Sequence, residues 1–235
     1  MSLTILYPEN VFFCDVDPKK ICLGQLCWAP TPMPTAIPQI LNVERSSPEE
    51  HESVKFELRN ANRAGDFKQR DRNLPVKYLN LRSNEELMVQ RAKKRPVVVV
   101  ANGMDCFPEF APLLRQKGKK HLQEDSVFVA PIYKVCRDDY GEGFIKEMMP
   151  YIECLLFRQF FYIPQSRLFK EGVIRLDRLQ VIIDQGPAAL EPTDLCLSED
   201  IFNALRDTMT YCLTGISSPE LSELRDLLAS TIEES

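Results

Sequence analysis

The stretch Arg95-Pro96-Val97-Val98-Val99-Val100-Ala101 sets the fold class. A β-branched run this short and this valine-rich is a buried strand, because branching at Cβ restricts χ1 and suits a pleated surface better than a helix. Downstream, Ser126 to Tyr133 (SVFVAPIY) reads as a second strand, and Pro131 late in it marks an edge or a bend. Gln159 to Ile163, Gly172 to Leu176 and Leu179 to Ile183 read as three further short strands. Upstream, Ile21 to Ala29 (ICLGQLCWA) is a strand containing a glycine, and Val76 to Leu81 alternates as a short strand does.

Between these strands lie loops and helices. Pro30, Pro32, Pro34 and Pro38 enforce an extended loop. Glu49 to Ala64 has a mixed helical pattern with weak caps, and Asp66 to Asn73 is polar and exposed. Ser83 and Glu86 form a capping box that opens a helix to Lys93. Phe107 to Lys120 is irregular to helical, and Gly143 to Phe157 is a helix kinked at Pro150. Ser198 caps a helix to about Leu213, with Ile201, Leu205, Met209 and Cys212 on one face and Gly215 as its stop. Ser218-Pro219 opens a last helix, striped by Leu221, Leu224, Leu227, Leu228 and Ile232. The sum is an α+β arrangement of five or six short strands with inserted helices and two helices at the C-terminus.

The 235 residues are 44% hydrophobic and 27% charged, which suits a folded chain rather than a disordered one. The longest purely apolar run, Val97 to Ala101, is far below the ~18 residues of a membrane helix. No basic start followed by a long apolar block opens the sequence. A cytoplasmic location without membrane insertion is therefore expected. Eight cysteines occur with no CxxC pair, and His51 and His121 each lack a neighbouring Cys or His. Buried free thiols are expected, and no metal site. No GxxxxGK[ST], GxGxxG or GxSxG stretch is present, so no cofactor is expected.

The net charge of −5 argues against a generic nucleic-acid binder, but the charge is uneven. Between Lys55 and Arg95 stand twelve basic residues, ending in Arg91, Lys93, Lys94 and Arg95, against five acidic ones. Arg115, Lys117, Lys119 and Lys120 form a second cluster. A positive region on an acidic chain is suited to seating phosphates, or else is a solvated face.

Four elements in one order carry a family resemblance. They are Gly24-Gln25-Leu26-Cys27-Trp28, then Arg95-Pro96 with its valines, then Ala130-Pro131-Ile132, then Gly172-Val173-Ile174-Arg175-Leu176-Asp177-Arg178-Leu179-Gln180 before the helix from Ser198. This order resembles the PemK/MazF toxin family. The resemblance covers about half the chain and implies a single decorated domain built on a small SH3-like β-barrel. Its barrel core would comprise approximately 21–29, 95–133 and 159–215, with insertions at approximately 30–94 and 137–158 and a C-terminal helix at 218–234.

The resemblance further implies metal-independent cleavage of single-stranded RNA. That reaction needs a base for the 2′-hydroxyl, a cation for the developing phosphorane charge and an acid for the leaving oxygen. Arg95 matches the family's cation. The place of the family's threonine or serine is held by Tyr133, followed by Lys134, and these three are the implied catalytic residues. Arg91, Lys93, Lys94, Arg137, Arg178 and Gln180 are the implied RNA contacts, with Gln180 standing where the family has an arginine. Two readings stay open: an endoribonuclease toxin, and a catalytically silent relative that binds RNA or a protein. The family also implies a homodimer and an antitoxin partner.

Overall fold

The structure is a computed structural model describing residues 2–50, 52–102, 109, 111–114, 126–135, 143–183 and 190–230. The chain forms two compact units: Met1–Thr31 with Lys94–Ser235, and Pro32–Lys93. In chain order the described strands are β1 (Phe13–Asp15), β2 (Gln25–Pro32), β3 (Gln39–Arg45), β4 (Val54–Asn60), β5 (Met88–Val89), β6 (Ala92–Asn102), β7 (Ser126–Lys134), β8 (Phe160–Ile163), β9 (Gly172–Arg175), β10 (Gln180–Ile183) and β11 (Glu191–Leu197). The helices are α1 (Leu3–Leu6), α2 (Glu9–Phe12), α3 (Ala111–Leu114), α4 (Met149–Glu153), α5 (Glu199–Thr214) and α6 (Pro219–Ala229). The molecule is a mixed α+β protein whose strands pair mostly antiparallel. Among the described residues no helix is long and apolar enough to cross a membrane.

The larger sheet runs β1-β11-β2-β6-β7-β9-β8, with β10 also on β7. β7 is its pivot. One edge pairs with β6, from Val97↔Pro131 onward. The other edge is shared: Ser126 to Val129 pair with β10, and Ile132 to Lys134 pair with β9. Pro131 sits where that edge changes partner, so its missing N–H falls in the gap between two ladders.

The valine run is continuous because β6 is buried on both faces. Val98 and Val100 join Leu26, Ala130, Ile132, Phe161 and Ile174 in a core that α5 closes with Ile201 and Leu205 and α6 with Leu221 and Leu228. Val97 and Val99 face the other way, with Cys27, Ala29, Val127 and Val129. At roughly 1.5–3 kcal/mol per fully buried valine, both faces favour the strand. Gly215 ends α5 and Ser218 opens α6 as the sequence implies, while Ile232 lies outside the described residues. Gly215 takes φ +76° and donates its N–H to Tyr211 O, and Ser218 Oγ accepts the N–H of Leu221 at 3.1 Å. Ser198 precedes α5 in extended conformation without a side-chain cap, its Oγ buried and unpartnered.

The unit Pro32–Lys93 is built on the sheet β4-β3-β5 and corrects several expectations. The helix expected over Glu49 to Ala64 is instead β4, in register with β3 from Val54↔Arg45 to Asn60↔Gln39. Val54, Phe56 and Leu58 repeat every second residue, and that period prevails over weak caps. The helix expected from Ser83 to Lys93 is absent: β5 lies there, and Glu86 is taken up by Arg70 and Arg72 rather than by a cap. Val76 to Leu81 is no strand but a single 3-10 turn, Lys77–Leu79, ended by Asn80 at φ +48°.

Pro30 and Pro32 lie within β2 rather than in a loop. The helix expected over Gly143 to Phe157 is reduced to a 3-10 turn and α4, which Pro150 opens rather than kinks. β1 and β11 were not expected as strands. Cys14 is exposed, whereas Cys27, Cys154 and Cys196 are buried.

Candidate nucleic-acid interface

Arg95 lies near the start of β6 and Tyr133 next to the end of β7. Carrying the Val97↔Pro131 register two residues further sets Arg95 across from Tyr133. Antiparallel partners share a face, and the Arg95 guanidinium carbon lies 4.4 Å from the Tyr133 ring centroid. β9 adds a second cation. Tyr133 pairs with Val173, so Arg175, two residues on, is its diagonal neighbour, at 5.6 Å from the ring. Both cations are within the ~6 Å over which a ring face attracts a charge. Arg175 also lies 5.1 Å from the ring of Phe160, its register partner on β8.

The two arginines differ in how they are held. Arg175 donates from Nε and Nη2 to the two carboxylate oxygens of Asp177, at 2.6 and 2.5 Å. Those hydrogen bonds raise the pKa of Arg175 further. Burial alone pushes the Asp177 carboxyl up, but the hydrogen bond and charge of Arg175, with a backbone hydrogen bond and the Arg178 charge, together hold the group below its ordinary value. Asp177 is thus an anchored anion and a weak proton acceptor. Arg95 has no carboxylate or hydrogen-bond partner among the described residues, and its Nε is buried. A half-buried guanidinium with donors unused is the costly arrangement that an anionic ligand relieves.

Gly172 brings the strands together beneath Tyr133. A Cβ there would meet Ile132 Cγ2 at 2.7 Å and the Tyr133 carbonyl oxygen at 2.8 Å, so only glycine permits this approach.

No protein-family profile, curated protein or solved structure matches the chain.

The structure brings Arg95 and Tyr133 together, and it brings Arg178 to their margin, with Nε 3.7 Å from Asp177. It sets Lys134, Lys94 and Gln180 apart from them. Lys134 alternates to the opposite side of β7 and is exposed. Lys94 alternates away from Arg95 and forms an ion pair with Glu191. Gln180 pairs with Val129, four residues along β7 from Tyr133, a separation of about 13 Å. Arg91 and Lys93 belong to the Pro32–Lys93 unit. Arg137 and the cluster Arg115 to Lys120 lie outside the described residues.

Arg175, Asp177 and Phe160 were missed as site residues. Their sequence signal is slight: Val173 and Arg175 share one face of a strand, but the pairing that carries this face to Tyr133 spans some forty residues.

Chemically, the cluster offers two cations and a phenol. It can hold a phosphate by charge, and the Arg95 plane offers a stacking surface to an unpaired base.

Proposed function

We propose that the chain is a PemK/MazF-like protein that binds single-stranded RNA, with a phosphate held by Arg95 and Arg175 beside the Tyr133 phenol. The observation that carries this reading is the Arg95 guanidinium, laid on Tyr133 with its Nε unpartnered. The four motif-bearing segments also fall on neighbouring strands, with β2 beside β6, β6 beside β7, and β9 and β10 both on β7. The SH3-like barrel belongs to the same proposal, and the sharing of one β7 edge by two strands supports a strongly bent sheet.

Binding is preferred to cleavage because, among the described residues, the cluster supplies cations without a free proton acceptor: the Asp177 carboxylate is tied to Arg175. The second reading, a metal-independent endoribonuclease, is favoured by one observation. Arg95 has no carboxylate partner among the described residues, as a cation reserved for phosphorane charge requires.

One experiment tests both. Labelled single-stranded RNA is titrated with protein in chelator, and the products are then resolved by size. Saturable binding that Arg95→Ala weakens, without scission, supports the binding reading. Scission abolished in folded Arg95→Ala establishes the nuclease. Neither binding nor scission refutes both. The homodimer and antitoxin follow from the same resemblance, and sedimentation tests the first.

A further inference from the structure

The Pro32–Lys93 unit contains a cavity of about 200 Å³, independent of the Arg95 cluster. Its apolar walls include Val43, Val76 and Leu79, and Arg72, Lys77 and Asn80 supply its polar groups. Asn80 holds the left-handed conformation, φ +48°, that ends the turn carrying Lys77.

The charge in this wall is out of balance. The Glu86 carboxylate is nearly inaccessible and is shared by two guanidiniums, Arg70 at 2.8 Å and Arg72 at 3.4 Å. One anion therefore serves two cations, and Arg70 holds it the more closely. The Arg72 side chain is only 9% exposed, yet its hydrogen bonds to described residues all run from Nη2, to Glu86 and to the Glu85 carbonyl. Its Nε is buried without a partner. A guanidinium more than nine-tenths buried, whose hydrogen bonds to described residues run from Nη2 alone, belongs to the lining of this cavity, where an anionic group would complete its pairing. Lys77 adds a second positive charge to the same wall.

The geometry points to a binding site for a small organic anion, with a phosphate or carboxylate head at Arg72 and Lys77 and a compact apolar body against Val43, Val76 and Leu79. Two cations and an amide select the head, and the aliphatic walls select the body. The volume lies below the ~300 Å³ at which drug-sized pockets begin, which limits the body to about one ring.

Isothermal titration of the full chain with phenyl phosphate, benzoate, inorganic phosphate and phenol tests the site. Saturable binding of phenyl phosphate or benzoate is expected, with inorganic phosphate and phenol each weaker. Preference between the two aryl anions assigns the head. Arg72→Gln should weaken binding by about 10-fold or more, while Glu86 keeps Arg70 as its partner. Should Arg72→Gln fail to fold, exposed Lys77→Gln and cavity-filling Leu79→Trp carry the test, and each should weaken binding. No saturable binding of either aryl anion, or binding that the folded variants leave unchanged, overturns the proposal. Inorganic phosphate binding as tightly as phenyl phosphate overturns it equally, because the apolar walls would then contribute nothing.

Discussion

The Arg95 guanidinium carbon stands 4.4 Å from the centroid of the Tyr133 ring, so a cation and an aromatic that are 38 positions apart in sequence form one surface. Ring and cation are expected to act together on RNA. Arg95→Ala should weaken single-stranded RNA binding and reduce the slope of log affinity against log salt by about 0.7, the value for one phosphate contact on a single strand. Tyr133→Ala should lose about 1–3 kcal/mol if the Arg95 plane and the ring stack a base as a unit. Tyr133→Phe should retain most of that, because the ring face remains. Fluorescence anisotropy across a salt series reads all three, and a slope unaltered in Arg95→Ala would remove Arg95 from the phosphate contact.

Asp177 makes acid sensitivity a property of the same surface. Burial pushes its carboxyl up, but the Arg175 hydrogen bond and charge, a backbone hydrogen bond and the Arg178 charge together hold it below its ordinary value of 3.8. A folded-state pKa below the unfolded one stabilises fully above the ordinary value and is lost as pH falls through the lowered one. Asp177→Asn should therefore be less stable than the parent at neutral pH. The difference should shrink below pH 3.8 as the parent's carboxyl protonates. Urea unfolding at a series of pH values shows this as two curves that converge toward acid, and a constant gap would refute it.

Gly172→Ala asks whether the close approach of β9 to β7 holds Tyr133 in place. The added Cβ would meet Tyr133 O at 2.8 Å and Ile132 Cγ2 at 2.7 Å, and the carbonyl oxygen cannot move without shifting the ladder. A loss of about 1–3 kcal/mol is expected from overpacking, with a parallel loss of RNA affinity as Tyr133 moves. Chemical denaturation measures the first and anisotropy the second.

Asp66 provides a corresponding anchor in the Pro32–Lys93 unit. It accepts from Arg59 Nη1 and Nη2 at 2.8 and 2.6 Å and from the Asn62 N–H at 2.6 Å. The Arg59 hydrogen bonds, then the backbone one, hold its carboxyl far below the usual range against the effect of burial. Its contribution is thus present above the ordinary carboxylate pKa and fails only in strong acid. Asp66→Asn should speed amide exchange across β4 at neutral pH while leaving exchange in β6 and β7 unchanged. Equal acceleration in both units would show that they do not open separately.

Some of this molecule is legible from local residues alone. Val97 to Val100 specify a strand because four β-branched side chains in succession suit little else, and Gly215 and Ser218-Pro219 punctuate the last helices because their backbone preferences act within one turn. Lys55 to Arg59 is different: the alternation Val54, Phe56, Leu58 competes with a helical reading, and only the ladder to β3 resolves it. Glu86 has the spacing of a cap, yet a buried carboxylate beside two guanidiniums is better satisfied by charge than by one backbone N–H.

The surface around Tyr133 depends on partners distant in the chain. Arg95 and Tyr133 are set out by two strands that any reader of the sequence would draw, but Arg175 joins them because β9 pairs with the end of β7 that β10 leaves free. Strand pairing is chosen by packing across the whole sheet, and no local run of residues encodes it. The amino-acid order therefore settled which segments are strands and helices where short-range sterics dominate. The folded sheet settled which side chains meet, because a strand's neighbour is selected by the free energy of the entire core.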